Sequence, residues 1–317
     1  MDDLIFSLNS TIPVFLVMVI GYILGKRGML GEGFCKGSDR LVFRITLPSM
    51  MVIDMYDIDL ASDFDGGYVL FCFLSTLISI IVLWLVAGIV MKNRSLTAEF
   101  VQGSYRSSAA VLGSAFLINI YGTTGTAAPL MILGAVPLFN AAAVVLLTIG
   151  QEERTSDGKA LAKKTFMGII TNPIILGIAV GTLWNLTGLG MPVLVRKSLS
   201  TLAGLSAPLA LISIGAAFDA GAALKLIKPT AVATFIKLVA MCAVFLPVAA
   251  YMGYRDQKLV ALIIMLGSPA TASGYVMAKA MGHRGVLAAG CIAMSTFVSA
   301  FTLTFWLWLF RMLGFIS

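Results

Sequence analysis

Apolar runs of about 20 residues recur along the whole chain, separated by short polar stretches. A hydrocarbon core of about 30 Å takes roughly 20 helical residues, and only helices and closed barrels satisfy the backbone there. The runs are continuous and lack the ten-residue alternation of barrel strands, so the pattern predicts helices. Ten spans are expected, at 9–27, 38–55, 67–91, 98–121, 127–149, 166–187, 193–217, 229–252, 258–281 and 285–312. The first run, Ile12 to Gly25, follows Asp2 and Asp3 instead of a basic segment, and no small-residue cleavage site follows it. It is expected to be a retained span, not a signal peptide.

Composition sharpens this picture. The 317 residues are 59 % hydrophobic and 12 % charged, with a mean hydropathy of +0.98, where globular chains carry about 25 % charge. That excludes a disordered chain, a disulfide scaffold and a single-anchor receptor with a soluble head. The longest strongly polar stretch, Gln151 to Thr165, is too short to house a catalytic domain, so an enzyme is not expected. Four cysteines (Cys35, Cys72, Cys242, Cys291) show no C-x-x-C spacing and His283 is the single histidine. The usual zinc and redox patterns are therefore missing, and neither a metal nor another cofactor is expected.

The net charge of +7 reads as topology, not as nucleic-acid binding. Lys26, Arg27, Lys36, Arg40, Lys92, Arg94, Arg154, Lys159, Lys163, Lys164, Lys225, Lys228 and Arg284 fall in one set of alternate loops. The opposite set holds only Arg196, Lys197, Arg255, Lys258 and Arg311, with the aspartates Asp54, Asp57, Asp59, Asp63 and Asp65. The base-rich side is expected to be cytoplasmic. A multi-pass protein of the cell (inner) membrane follows, with both termini extracytoplasmic and the lipid bilayer as its surroundings.

A self-comparison at offset 160 pairs Pro48 with Pro208, Gly113-Ser114 with Ser273-Gly274, Gly122 with Gly282 and Gly125 with Gly285. Gly21 and Gly25 recur as Gly177 and Gly181 at offset 156. The expected organisation is a first five-helix repeat at 1–150, a cytosolic loop at 151–165 and a second repeat at 166–317. An odd number of spans per repeat inverts the second against the first. Inverted repeats place the substrate site near the midplane, where Gly- or Pro-interrupted helices break. Span four, with Ser107, Ser108, Gly113, Ser114 and Asn119, and span nine, with Gly267, Ser268, Pro269, Thr271, Ser273 and Gly274, fit that description. Their half-helix starts offer free N–H groups and a positive dipole end to an anion. Small residues and serines also serve ordinary helix packing in membranes.

Five motifs in order carry a resemblance: span four with the Tyr-Gly at its end, V-P-L-F-N at Val136 to Asn140, N-P-I-I-L-G at Asn172 to Gly177, P-L-A-L-I-S-I-G-A at Pro208 to Ala216, and S-P-A-T-A-S-G-Y-V-M-A at Ser268 to Ala278. Together they resemble the auxin efflux carrier family, which includes bacterial permeases of small organic acids and the plant PIN auxin exporters. The resemblance implies an all-α membrane protein of ten helices in two inverted five-helix repeats, with broken helices four and nine crossing. It also implies a scaffold of helices 1, 2, 6 and 7, a moving transport part of helices 3–5 and 8–10, and elevator-like exchange. Relatives commonly carry asparagine where this chain has Ser108 and a proline near Ala115, so the first break is expected to be less sharp.

Ionisable residues inside a bilayer cost about 2.5–3.5 kcal/mol at a helix centre. Arg44, Arg106, Lys237 and Lys279 fall within spans. Snorkelling to an interface accounts for Arg44 and Lys279. Arg106 precedes Ser107-Ser108 and either pairs with a substrate carboxylate or caps the cytosolic mouth; Lys237 is open in the same way. No Asp or Glu is expected securely inside a span, which argues against carboxylate-based coupling. The expected binding residues are Arg106, Ser107, Ser108, Ser114, Asn140, Ser268, Pro269, Thr271 and Ser273, with Pro48 and Pro208 on a scaffold face. The function expected is a secondary carrier for a small organic anion, such as a mono- or dicarboxylate or an auxin-like acid. The alternatives are a passive anion channel or a membrane sensor without transport, and a homodimer is compatible with each.

Overall fold

The computed structural model describes residues 2–58, 64–91, 93–123, 125–151, 163 and 166–317, and for 2–11, Val111 and Ser114 the backbone alone. Most of the expected cytosolic loop, 151–165, lies outside the described residues. Every regular element within them is helical. The order is α1 (Asp2–Lys26), α2 (Glu32–Leu41), α3 (Leu47–Tyr56), α4 (Gly66–Val90), α5 (Arg94–Tyr105), α6 (Ala109–Tyr121), α7 (Ala127–Ile149), α8 (Pro173–Thr187), α9 (Val193–Gly204), α10 (Ser206–Ala216), α11 (Ala220–Lys225), α12 (Ile227–Phe235), α13 (Met241–Tyr251), α14 (Asp256–Gly267), α15 (Ala272–Ala280) and α16 (Val286–Met312).

Among the described residues, five stretches are long and apolar enough to cross a membrane: Gly66–Val90, Ala127–Ile149, Val193–Ala216, Ile227–Tyr251 and Val286–Met312. The pair α14 and α15, bent by 41° at residues 268–271, makes a sixth. Ile12–Lys26 and Pro173–Thr187 are apolar but shorter.

Local chemistry sets these boundaries. Asn172 starts α8 by accepting from the N–H of Ile174 at 2.9 Å, and Pro173 occupies the first turn, where no donor is needed. Asp65 starts α4 in the same way through Tyr68 N–H. Pro48 cannot donate to the carbonyl of Arg44, and the chain answers with a π turn, Val42–Thr46, from which Leu47 N–H reaches back to Val42. A second π turn, Ile236–Ala240, links α12 to α13; the indole of Trp306 donates to the Leu238 carbonyl there at 3.0 Å.

Glycine governs the closest helix contacts. A Cβ on Gly177 would lie 2.6 Å from the Pro48 carbonyl oxygen, and one on Gly181 would lie 2.9 Å from Met55 Cβ and from Val52 Cα. Gly21 meets Ile212 and Gly25 meets Ala216 in the same backbone-to-backbone fashion. These partners correct the offset of 156 for the first helices. Val52 and Ile212 are 160 apart, so Gly21 plays the part of Gly181, also 160 away, and not of Gly177. At the position 160 beyond Gly25 stands Asn185, whose side-chain amide donates to the Tyr56 carbonyl at 2.6 Å, as Tyr56 stands 160 before Ala216.

Helices α1 and α10 pack together, as do α3, α8 and α9. A second set joins α4 with α5 and α7, α6 with α14, and α16 with α5 and α12. The two sets meet where α1 lies along α16 and where α15 packs on α10 and α2.

Candidate functional site: a cavity between two helix breaks

The two interrupted helices meet at their interruptions. α5 ends at Tyr105 and α6 begins at Ala109; α14 ends at Gly267 and α15 begins at Ala272. The N–H of Ser108 donates to the carbonyl of Pro269 at 3.0 Å, so the breaks are bonded across their backbones. Ser295 on α16 fixes the second break by accepting from Ala270 N–H at 2.9 Å. Pro269, with no N–H of its own, keeps α14 from running on into α15. The first break needs no proline: Arg106 is extended at φ −74°, ψ 125°.

A cavity of about 200 Å³ lies against this junction. Its wall on one side is Arg106, Ser107, Ser108, Thr271 and Ser273, with Asn140 and Phe139 of α7 behind them. Leu47, Met50 and Met51 of α3 and Ser206, Ala207 and Ala210 of α10 face them. Neither α6 nor α15 has a side-chain cap at its start, and Ser108, Ala110, Thr271 and Ala272 at those starts all line the cavity. The positive ends of two helix dipoles therefore converge on one volume.

Arg106 adds a full charge. It is buried, and its guanidinium donates to Asn140 Oδ1 at 2.6 Å, to Ser273 Oγ at 2.9 Å and to the Phe139 carbonyl at 3.3 Å. Every one of these acceptors is neutral, and among the described residues no carboxylate pairs with it. The Asn140 amide in turn donates to the Val136 carbonyl at 2.9 Å, which sets its oxygen toward the arginine. A guanidinium stays protonated in a protein, so the wall holds an uncompensated positive charge. The inward bonding distinguishes Arg106 from Arg44, which is exposed.

The structure brings together Arg106, Ser107, Ser108, Asn140, Pro269, Thr271 and Ser273. Ser268 is fully buried but does not line the cavity, and Pro48 and Pro208 do not line it either. Pro48 is taken up by its contact with Gly177 and Pro208 is exposed, while their helix neighbours supply the facing wall. The side chain of Ser114 lies outside the described residues, but its backbone sits inside α6, six positions beyond the break, because the chain interrupts at 106–108 and not at Gly113-Ser114. Sequence reasoning missed Ser206 and Thr296, whose buried hydroxyls line the cavity without a partner among the described residues, as does Arg106 Nε. Isolated hydroxyls in apolar helices carry no spacing signal that would have marked them.

Two acids at the starts of expected spans are buried in the protein. Glu99, with no exposed surface, accepts from the N–H groups of Gly285, Leu287 and Ala288 at 2.9–3.1 Å and so caps α16. Asp39 is buried and accepts from Ser213 Oγ at 2.7 Å. Both carboxylates satisfy neighbouring elements and neither lines the cavity.

Apolar helices of membrane-crossing length around a cavity walled by two helix breaks define a multi-pass membrane protein. Comparison with known proteins makes the class definite: the chain belongs to the membrane transport protein family, whose model matches residues 6–307, and this is the family of the auxin efflux carriers. An uncharacterized transporter of Methanothermobacter thermautotrophicus is 22 % identical over 307 residues, covering 95 % of this chain and 97 % of its own.

Proposed function

We propose that this chain is a secondary carrier for a small organic anion, with the cavity at the two breaks as its binding site. The observation that carries the reading is Arg106: a buried guanidinium on the cavity wall, held by neutral acceptors alone. A bound carboxylate would supply the missing charge, take the orphan hydroxyls of Ser107, Ser206 and Thr296 as donors, and sit at two helix starts. Wall material from Leu47, Met51 and Phe139 suits an apolar body on that acid.

Ten spans in two inverted repeats remain the organisation that best suits these contacts. Supporting it are the breaks, with Ser108 and Ser268 160 apart, and the glycine contacts that repeat at that same offset. The helix sets α1–α3 with α8–α10, and α4–α7 with α12–α16, correspond to a scaffold and a transport part, and sliding of one against the other would give elevator exchange. The orientation follows from the loop charges: cysteines introduced at Lys36 and Arg196, both exposed, should label from inside and outside intact cells respectively. The four native cysteines are buried, so their background is low.

The experiment that tests the function is a thermal-stability screen of purified protein against mono- and dicarboxylates, followed by counterflow in proteoliposomes with the best acid. A ligand at 100 times its dissociation constant adds about 2.7 kcal/mol. Stabilisation by organic cations alone, or non-saturable flux, would refute the carrier of an anion.

A further inference from the structure

Lys237 is fully buried, and its ammonium donates to the carbonyls of Leu266 at 2.6 Å and Met265 at 3.3 Å. Those carbonyls belong to the last turn of α14, the half-helix that ends at the second break. A helix leaves its last four carbonyls without intrahelical donors, and their partial negative charge is concentrated there. In an unbroken span these groups would bond to the following turn; here Pro269 and the extended residues after Gly267 remove that option. The lysine supplies the donors instead.

The surroundings are built for this contact. Lys237 lies in the π turn Ile236–Ala240, which widens the helix toward α14. Trp306 takes up the Leu238 carbonyl in that turn. Gly267 permits the approach, since a Cβ there would lie 2.8 Å from Cys242 Sγ. No carboxylate among the described residues pairs with Lys237, and its Nζ faces carbonyl oxygens alone. Snorkelling does not describe a side chain with no exposed surface.

In carriers with broken helices, unwound carbonyls and half-helix C-terminal ends coordinate the coupling sodium ion or proton. We infer that the Lys237 amino group stands in for a cation at such a carbonyl site, so that the second break of this protein needs no exchangeable metal ion to hold its shape. The consequence for transport, independence of sodium, rests on the carrier reading above; the occupancy of the carbonyl site does not. Lys237 is then a positioning residue, since it touches the break and not the cavity.

The test uses inorganic and small organic cations and no carboxylate, so it succeeds or fails independently of the anion proposal. Melting temperatures of purified protein would be compared in sodium, potassium, ammonium, methylammonium and choline chloride at equal ionic strength. The wild-type chain should melt at the same temperature in all five. Lys237→Ala should melt ~5–10 °C lower in choline and recover at least half of that loss in ammonium, methylammonium or sodium. Lys237→Met, which fills the volume without charge, should be destabilised and indifferent to the cation. Equal melting of Lys237→Ala in every salt would reduce the lysine to packing and overturn the proposal. Failure to recover folded Lys237→Ala even in ammonium would count against it equally, as would selective stabilisation of the wild type by sodium.

Discussion

The backbone amide of Ser108 donates to the carbonyl of Pro269 at 3.0 Å, although 160 residues separate Ser108 from the serine next to that proline. The bond ties the end of one interrupted helix to the end of another. It also explains why both interruptions persist in an apolar setting, where an unpaired backbone group costs several kcal/mol. Each break satisfies part of the other, and Ser295 takes the N–H of Ala270.

Pro269→Ala tests that arrangement. Alanine restores a donor in mid-span and has the highest helix propensity, so α14 and α15 should tend to join. The expected result is a protein that melts at or above the wild-type temperature but loses stabilisation by every carboxylate active on the wild type. Unchanged carboxylate stabilisation would show that the proline is not what holds the break open.

Arg106→Gln removes the charge on the cavity wall while keeping a donor of similar reach. Loss of a charge-assisted hydrogen bond costs about 1.5–3 kcal/mol, so affinity for an organic acid should fall roughly ten- to 150-fold. Arg106→Lys should restore only part, because an ammonium lacks the planar fork that reaches Asn140, Ser273 and Phe139 together. Binding curves superimposable on the wild type for Arg106→Gln would remove the arginine from the site.

Much of this was legible in the sequence, and the exceptions have physical causes. Apolar run lengths located five of the expected ten spans as helices of membrane-crossing length among the described residues, and a sixth as a bent pair, because the bilayer fixes that length; Pro269 marked its break because proline removes a donor. The place of the first break within span four was not legible, since small residues mark close packing as readily as interruption: a Cβ on Gly113 would lie 2.8 Å from Met131 Cε. The π turn before Pro48 absorbs that proline, whose neighbours Leu47, Met50 and Met51 and not the proline itself line the cavity. Glu99 lies one residue inside a predicted span end, and nothing in its spacing marks it as buried. Only the fold reveals that the start of α16 lies over it.

Glu99→Gln measures that cap. The glutamine oxygen can accept only part of what two carboxylate oxygens take from Gly285, Leu287 and Ala288, and the attraction of a negative charge to the helix start is lost. That attraction is worth up to ~2 kcal/mol in partly buried geometry, equivalent to a fall in melting temperature of roughly 4–8 °C. Carboxylate affinity should stay within twofold, since Glu99 does not line the cavity. A melting temperature equal to the wild type would mean the carboxylate charge contributes nothing to the start of α16.

The glycine contacts yield a prediction about packing. Gly177→Ala places a methyl group against the Pro48 backbone, which cannot rotate away as a side chain can, and overpacking of this kind costs about 1–3 kcal/mol. Gly28→Ala meets no atom within 4 Å but must adopt φ +74°, so it should cost about 1 kcal/mol through backbone strain alone. Purified Gly177→Ala should be the less stable of the two, and the reverse order would mean that α3 and α8 separate more easily than their contact implies.

An ion pair between Asp65, outside the spans, and Lys258 at the start of α14 gives the pH dependence. Asp65 accepts from Lys258 Nζ at 2.7 Å and from Tyr68 N–H at 3.0 Å, and the lysine bond first, then the backbone bond, hold its carboxyl below the usual value of 3.8. Because the folded pKa is the lower one, this stabilisation is fully present above about pH 4 and is lost as pH falls through the folded value. Both side chains are about one-third exposed, so solvent screening limits the pair to under ~1 kcal/mol. Asp65→Asn keeps an oxygen for Tyr68 N–H and removes only the charge. It should melt up to ~4 °C below the wild type at pH 7 and low salt, with the gap shrinking both at high salt and as the pH is lowered past 4. A gap that persisted unchanged at pH 3 would assign the stability of this corner to the cap and not to the ion pair.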